Sequence, residues 1–230
     1  GAISCTNSAV NFGNPQGIAV DSSGNIWVAE HSCHRVQKLD SSGNHLFYMG
    51  NTPTGAQGYT TAGFSYPYDV DFDTSGNLFV VDAGNEQISK FDSSGNFISQ
   101  FLSLPSTGQG NYEAIGLWAI AIDSDDDVYI ADRYNNRVSH YDSSGTYINS
   151  LGVSSASGGS TNALLNNPMG VAVDSDNNVY VADTNNQRVQ KFDSSGTYIT
   201  STPASSNYYN SVAIDNSYNI HVVSDERNAE

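Results

Sequence analysis

Positive charge is what this 230-residue chain has least of. Lysine occurs three times, at Lys38, Lys90 and Lys191, and Lys and Arg together number 8 against 24 Asp and Glu, a formal charge of −16. A surface this acidic repels phosphate backbones and anionic headgroups, which argues against nucleic acid and anionic membrane surfaces as partners. No apolar run approaches the ~18 residues of a membrane-spanning helix, so no membrane insertion is expected. Cysteine is confined to Cys5 and Cys33, which leaves a single candidate intrachain disulfide. No Asn-x-Ser/Thr acceptor occurs despite the many asparagines. The polar, hydroxyl-rich remainder resembles secreted and cell-surface β-proteins, and that setting favours a Cys5–Cys33 bridge and an extracellular or cell-surface location.

What the chain has in abundance is a repeat. From Asn166 to Gly196 it reads NNPMGVAVDSDNNVYVADTNNQRVQKFDSSG. Near-alternation of Val and Ala with polar residues, broken by SDN, TNNQ and SSG, predicts half-buried antiparallel strands at Met169–Asp174, Asn178–Asp183 and Arg188–Asp193. A fourth strand is expected at Thr197–Ser201. The same pattern opens with GIAVD, YDVDFD and WAIAID further upstream, and a last copy supplies only YNSVAID and NIHVVSD. The Asp closing each first strand falls at 21, 73, 123, 174 and 215. A period of about 40 to 50 residues with four strands per copy marks a β-propeller, in which no blade buries both faces without its neighbours. The fold class expected is therefore all-β, one propeller domain over 1–230 of about five four-stranded blades near 14–50, 64–102, 115–152, 166–202 and 208–230. The last is incomplete, residues 1–13 are a closing strand, and six complete blades are excluded on length. The repeated Asp-Ser-Ser-Gly turns fall at one end of the blades, and the second-to-third loops with the long excursions fall at the other.

The motif G-[IV]-A-V-D-x-x-x-N-[IV]-[WY]-V-A-[DE], followed by R-V-Q-K-[LF]-D-S-S-G, resembles the NHL repeat of the six-bladed TolB-like propeller group. The resemblance implies the propeller fold; it leaves the activity open, because NHL propellers include sensors, scaffolds, RNA-binding proteins, lyases and hydrolases. Amidating lyases and calcium-dependent lactonases on related propellers draw metal ligands into the axial channel. The first strands here are aliphatic apart from their closing Asp and the Asp69/Asp71 pair, so no catalytic set is read from them.

Several constellations remain. Glu30, Asp82, Asp132 and Asp183 end the second strands, and Arg35, Arg137 and Arg188 follow three of them by five residues, with Gln87 in the other. A feature shared by every copy serves the copy, so each pair is read as a brace for its own loop. Asp123, Asp125 and Asp127 alternate along one turn, the spacing of oxygen ligands for a hard cation such as Ca²⁺, and are the one candidate cofactor site. His31-Ser32-Cys33-His34 places soft ligands in one loop but lacks the separated pairs of a zinc site. Trp118 and Tyr112 suggest a carbohydrate platform. Asn219, Ile220, His221, Val222 and Val223 form a second strand with no third strand beside it, an edge expected to pair with Ala2–Val10 of the same chain or of another copy. The function expected from these features is a non-enzymatic extracellular module that binds protein, itself included, as part of a surface structure or filament. The alternatives are a calcium-dependent hydrolase or lyase and a carbohydrate-binding propeller.

Overall fold

The computed structural model describes Cys5 and residues 12–50, 63–103, 116–152 and 158–225. They form four antiparallel four-stranded sheets, each a meander in chain order. The first blade comprises β1 (Pro15–Val20), β2 (Ile26–Glu30), β3 (Arg35–Leu39) and β4 (His45–Gly50). The second comprises β5 (Pro67–Phe72), β6 (Leu78–Asp82), β7 (Gln87–Phe91) and β8 (Phe97–Ser103). The third comprises β9 (Leu117–Ile122), β10 (Val128–Asp132), β11 (Arg137–Tyr141) and β12 (Tyr147–Leu151). The fourth comprises β13 (Gly170–Val173), β14 (Val179–Asp183), β15 (Arg188–Phe192) and β16 (Tyr198–Ser201), and a fifth sheet has only β17 (Tyr208–Ile214) and β18 (Ile220–Asp225). Among the described residues there is no α-helix, only single 3-10 turns between the second and third strands. The chain divides into two compact units, Gly1–Ser103 and Leu104–Glu230.

Turn chemistry sets the strand ends. At Asp193 one carboxylate oxygen accepts the amides of Ser195 at 3.0 Å and Thr197 at 2.8 Å, and Gly196 takes φ 85°. Asp174 does the same for Asp176 and Asn178, with Asn177 in the left-handed region at φ 60°. Asp closes both turns because its short carboxylate caps backbone amides that no strand partner reaches.

Burial departs from the half-buried pattern expected of all the strands. The second strands are covered on both faces: β6, β10 and β14 are buried at every residue. In β14, Val179 and Val181 enter a core with Tyr129, Val171 and Phe192, while Tyr180 and Ala182 pack with Val189 and Val212. In the first unit Trp27, Val36, Val70, Leu78 and Phe91 form the equivalent core between two blades. First strands of neighbouring blades lie side by side, β1 with β5 and β13 with β9 and β17. Gly17 and Gly170 permit this. A Cβ on Gly17 would fall on the Asp69 side chain and backbone, and one on Gly170 would stand 2.8 Å from Ser211 Cα.

β18, the strand expected to present an open edge, pairs only with β17 among the described residues and is exposed throughout, Val223 at 65%. Ile220, Val222 and Val223 lie on it, and Asn219 accompanies Asp215 in the preceding turn. Most of the expected Ala2–Val10 strand lies outside the described residues.

Candidate functional site

The loop end of each blade is built on a carboxylate bracket. Glu30 Oε1 and Oε2 accept from Arg35 Nε at 2.9 Å and Nη2 at 3.0 Å, both side chains fully buried. Asp132 and Asp183 accept from Arg137 at 2.9 Å and Arg188 at 2.8 Å. Where Arg gives way to Gln87, the amide nitrogen still donates to Asp82 at 3.1 Å. The same carboxylate holds the incoming chain: Gly13, Ser65 and Asn166 each donate their amide, at 2.7 Å, to Glu30, Asp82 and Asp183. Burial pushes the Asp82 and Asp132 carboxyls up, against the hydrogen bonds of Asn85 and of Asn135 and Arg137 that pull them down. These pairs brace their own loops.

A bracing asparagine recurs three residues after the acid: Asn85, Asn135 and Asn186 donate to Asp82, Asp132 and Asp183 at 2.8–2.9 Å. The first blade has Cys33 there, joined to Cys5 by a disulfide with Cα atoms 5.5 Å apart. A covalent tie thus stands where the other blades use an amide.

At the turn end a second repeated set forms. Lys38, Lys90 and Lys191 pair with Asp21, Asp73 and Asp174 at 3.3, 2.8 and 3.1 Å. Each lysine also lies over an aromatic ring, of Trp27, Phe79 or Tyr180. The third blade substitutes His140, stacked on Tyr129 at 4.1 Å and 3.2 Å from Asp127. The calcium reading fails on this geometry. Asp123 Oδ1 is engaged by the amides of Asp125 and Asp127, and Asp125 Oδ2 by the Asn177 side chain. Among the described residues no three His, Cys, Asp or Glu side chains gather as metal ligands.

Side chains that do not repeat collect at the loop ends. In the first unit His31 contacts the rings of Tyr66 and Tyr68, both at 4.8 Å between centroids, and His34 stands 4.4 Å from Tyr66. The Tyr66 amide donates to His34 Nδ1 at 3.1 Å. An amide can only donate, so Nδ1 is unprotonated and the neutral ring carries its proton on Nε2. Burial, together with the nearby His34, holds the His31 pKa below the usual histidine value. The left-handed φ of 52° at His34 is no sign of special strain, because Glu86, Asn136 and Gln187 repeat it. Cys33, between the two histidines, offers no thiolate because it is oxidised.

In the second unit the Arg133 guanidinium lies 4.3 Å from the Trp118 ring and 5.3 Å from the Tyr134 ring. This cation covers one face of Trp118, the ring read as a carbohydrate platform; Tyr112 lies outside the described residues. Reading the motif alone missed Tyr66, Tyr68, Arg133 and Tyr134. The available signal was their failure to recur between copies.

Comparison with known proteins adds to this geometry. The NHL repeat model matches residues 12–39, 116–141 and 165–192. A *Caenorhabditis elegans* protein described as a probable peptidyl-alpha-hydroxyglycine alpha-amidating lyase is 33% identical over 90 residues, which are 39% of this chain and 25% of that protein. The chain thus spans about a quarter of that relative. Solved structures of a streptogramin B lyase (TM-score 0.67, 16% identity, 94% of this chain and 64% of that one) and a *Xanthomonas campestris* gluconolactonase (TM-score 0.68, 13%, 92% and 69%) share the fold. Such relatives overturn the expectation of a non-enzymatic assembly module, for they are named as enzymes. The chain thus carries NHL repeats at the matched residues, and its blades and the solved neighbours show a β-propeller.

Proposed function

We propose that this chain is the propeller of a lyase, acting at the loop end of its first two blades on a substrate of the peptidyl-α-hydroxyglycine kind. The supporting observation is the His31–His34–Tyr66–Tyr68 cluster, which no other blade repeats. Cleaving an α-hydroxyglycine without water or an oxidant requires two proton movements. The hydroxyl proton leaves, a carbonyl forms as the carbon–nitrogen bond breaks, and a proton returns to nitrogen. His31, whose pKa burial and the nearby His34 hold below the usual histidine value, suits the base, since a general base must be unprotonated when it takes the proton. His34, with Nδ1 occupied by the Tyr66 amide, presents Nε2–H as a hydrogen-bond donor to the forming carbonyl oxygen, and the proton that His31 takes from the hydroxyl is the one it returns to nitrogen. The Tyr66 and Tyr68 rings supply apolar walls for the substrate.

The metal that related propellers use does not fit the donors described, two imidazoles beside an oxidised cysteine, and no step is routed through one. Assignment to the six-bladed TolB-like group is part of the same proposal and rests on the NHL repeats. An oxidising compartment suits the Cys5–Cys33 bridge.

The test is conversion of a peptidyl-α-hydroxyglycine, a streptogramin B depsipeptide and a gluconolactone, each followed by mass spectrometry. Turnover of the first, falling about 100-fold or more in His31→Gln, is the expected result. Turnover unaffected by that substitution, or confined to the lactone, would overturn the reading.

A further inference from the structure

Every described lysine and every described arginine but one is paired with a carboxylate. Arg35, Arg137 and Arg188 are held in the brackets, and Lys38, Lys90 and Lys191 in the turns. Arg133 is the exception among the described residues. Its Nε donates to Asn167 Oδ1 at 2.6 Å, and its guanidinium lies by Trp118 and Tyr134. No hydrogen bond of its two Nη groups to a described residue accompanies these contacts. The residue is partly exposed, and Tyr134 is 57% exposed.

The position is built. The Asn167 amide donates to Asn136 Oδ1 at 2.7 Å, which sets Asn167 to receive Arg133. Tyr134 is seated on Gly116, where a Cβ would collide with its ring, and the Arg133 amide donates to Gly116 O at 3.1 Å. A guanidinium fixed at Nε presents its Nη edge as a planar fork, the geometry that receives a carboxylate. In a chain of charge −16, an unpaired fork selects a monoanion over a dianion, because the protein's field opposes each added negative charge.

We propose that Arg133, flanked by Trp118 and Tyr134, is a binding site for the carboxylate of a small ligand that also carries an apolar group. The fork takes the carboxylate, and the exposed Tyr134 ring takes the apolar part. The site binds whether or not His31 acts as a base, so its test reads binding and not turnover.

Titration of the ¹⁵N-labelled chain with sodium benzoate, observed at the tryptophan indole N–H signals, provides that test. Trp118 lies in the site and Trp27 is fully buried in the other unit, so the second signal is an internal reference. Saturable movement of Trp118 alone is expected, absent with the neutral isostere benzamide and weaker with phenyl phosphate. Arg133→Met should weaken benzoate binding about tenfold or more, the loss of a charged hydrogen-bonded pair. Should that variant fail to fold by circular dichroism, Arg133→Lys keeps the charge without the fork and should weaken binding severalfold. Benzamide binding as well as benzoate, binding unchanged in a folded variant, or no saturable shift in the wild type would overturn the site.

Discussion

The two ends of the blades are built from similar materials and differ in what they leave over. At the turn end the carboxylates that close the third strands cap their own turns: Asp40, Asp92, Asp142 and Asp193 all accept the amide four residues on, at 2.8–2.9 Å. At the loop end the bracket also repeats, yet between its repeated members stand His31, His34, Tyr66, Arg133 and Tyr134, which do not. Repetition marks what every blade needs in order to fold, and the departures mark what this chain can do with the fold.

The sharpest break in that comparison comes from the bracket. Arg35→Met leaves the Glu30 carboxylate buried and unpaired, and should cost about 3–5 kcal/mol, read by chemical denaturation. Arg35→Gln copies the arrangement at Gln87 and should cost markedly less. Equal losses would mean that the bracket works by packing alone, including the Arg35 guanidinium over the Tyr48 ring at 4.0 Å.

Next in size is the seam between first strands. Gly17→Ala brings a methyl group against Asp69 and the Tyr68 carbonyl, and Gly170→Ala against Ser211. Each should destabilise by about 1–3 kcal/mol, again by denaturation. A neutral outcome at Gly17 would show that β1 and β5 can part without loss.

Acid probes the turn end. Hydrogen bonds from the turn and from Asn or Lys hold Asp73, Asp92 and Asp174 below the usual carboxylate range, although burial opposes them, and the same turn bonds lower Asp193. A carboxyl lowered on folding stabilises the fold fully above its unfolded pKa of about 4. That contribution is lost as pH falls through the lower folded value. Asp82, Asp123 and Asp132 are raised by burial and work in the opposite direction. Melting temperature should therefore hold between pH 5 and 7 and decline below about pH 4. A rise in stability on acidification would assign control to the buried carboxyls of Asp82, Asp123 and Asp132.

Much of this was legible in the sequence because the repeat carries its own punctuation. The strands expected at Asn178–Asp183 and Arg188–Asp193 appear at Val179–Asp183 and Arg188–Phe192, since Asp-Ser-Ser-Gly fixes where pairing stops. The bracket was legible from its spacing of five. Full burial of the second strands was not, because Tyr180 and Ala182 gain their cover from β17, distant in sequence. Nor was the His31 cluster, for His34 and Tyr66 are 32 positions apart and join through a ring contact and a backbone amide on an imidazole. A chain read copy by copy shows what recurs, while sites come from residues that differ and meet in space.

One double substitution tests the division between building and acting most directly. His31→Thr with His34→Gln gives the first blade the residues that Thr184 and Gln187 supply in the fourth, where Gln187 takes the same left-handed backbone at φ 56°. Melting should remain within about 2–4 °C of the parent, less than a ~1 kcal/mol change in a chain of this size, while turnover of the peptidyl-α-hydroxyglycine is lost. Retained turnover in the doubly substituted chain would contradict the account.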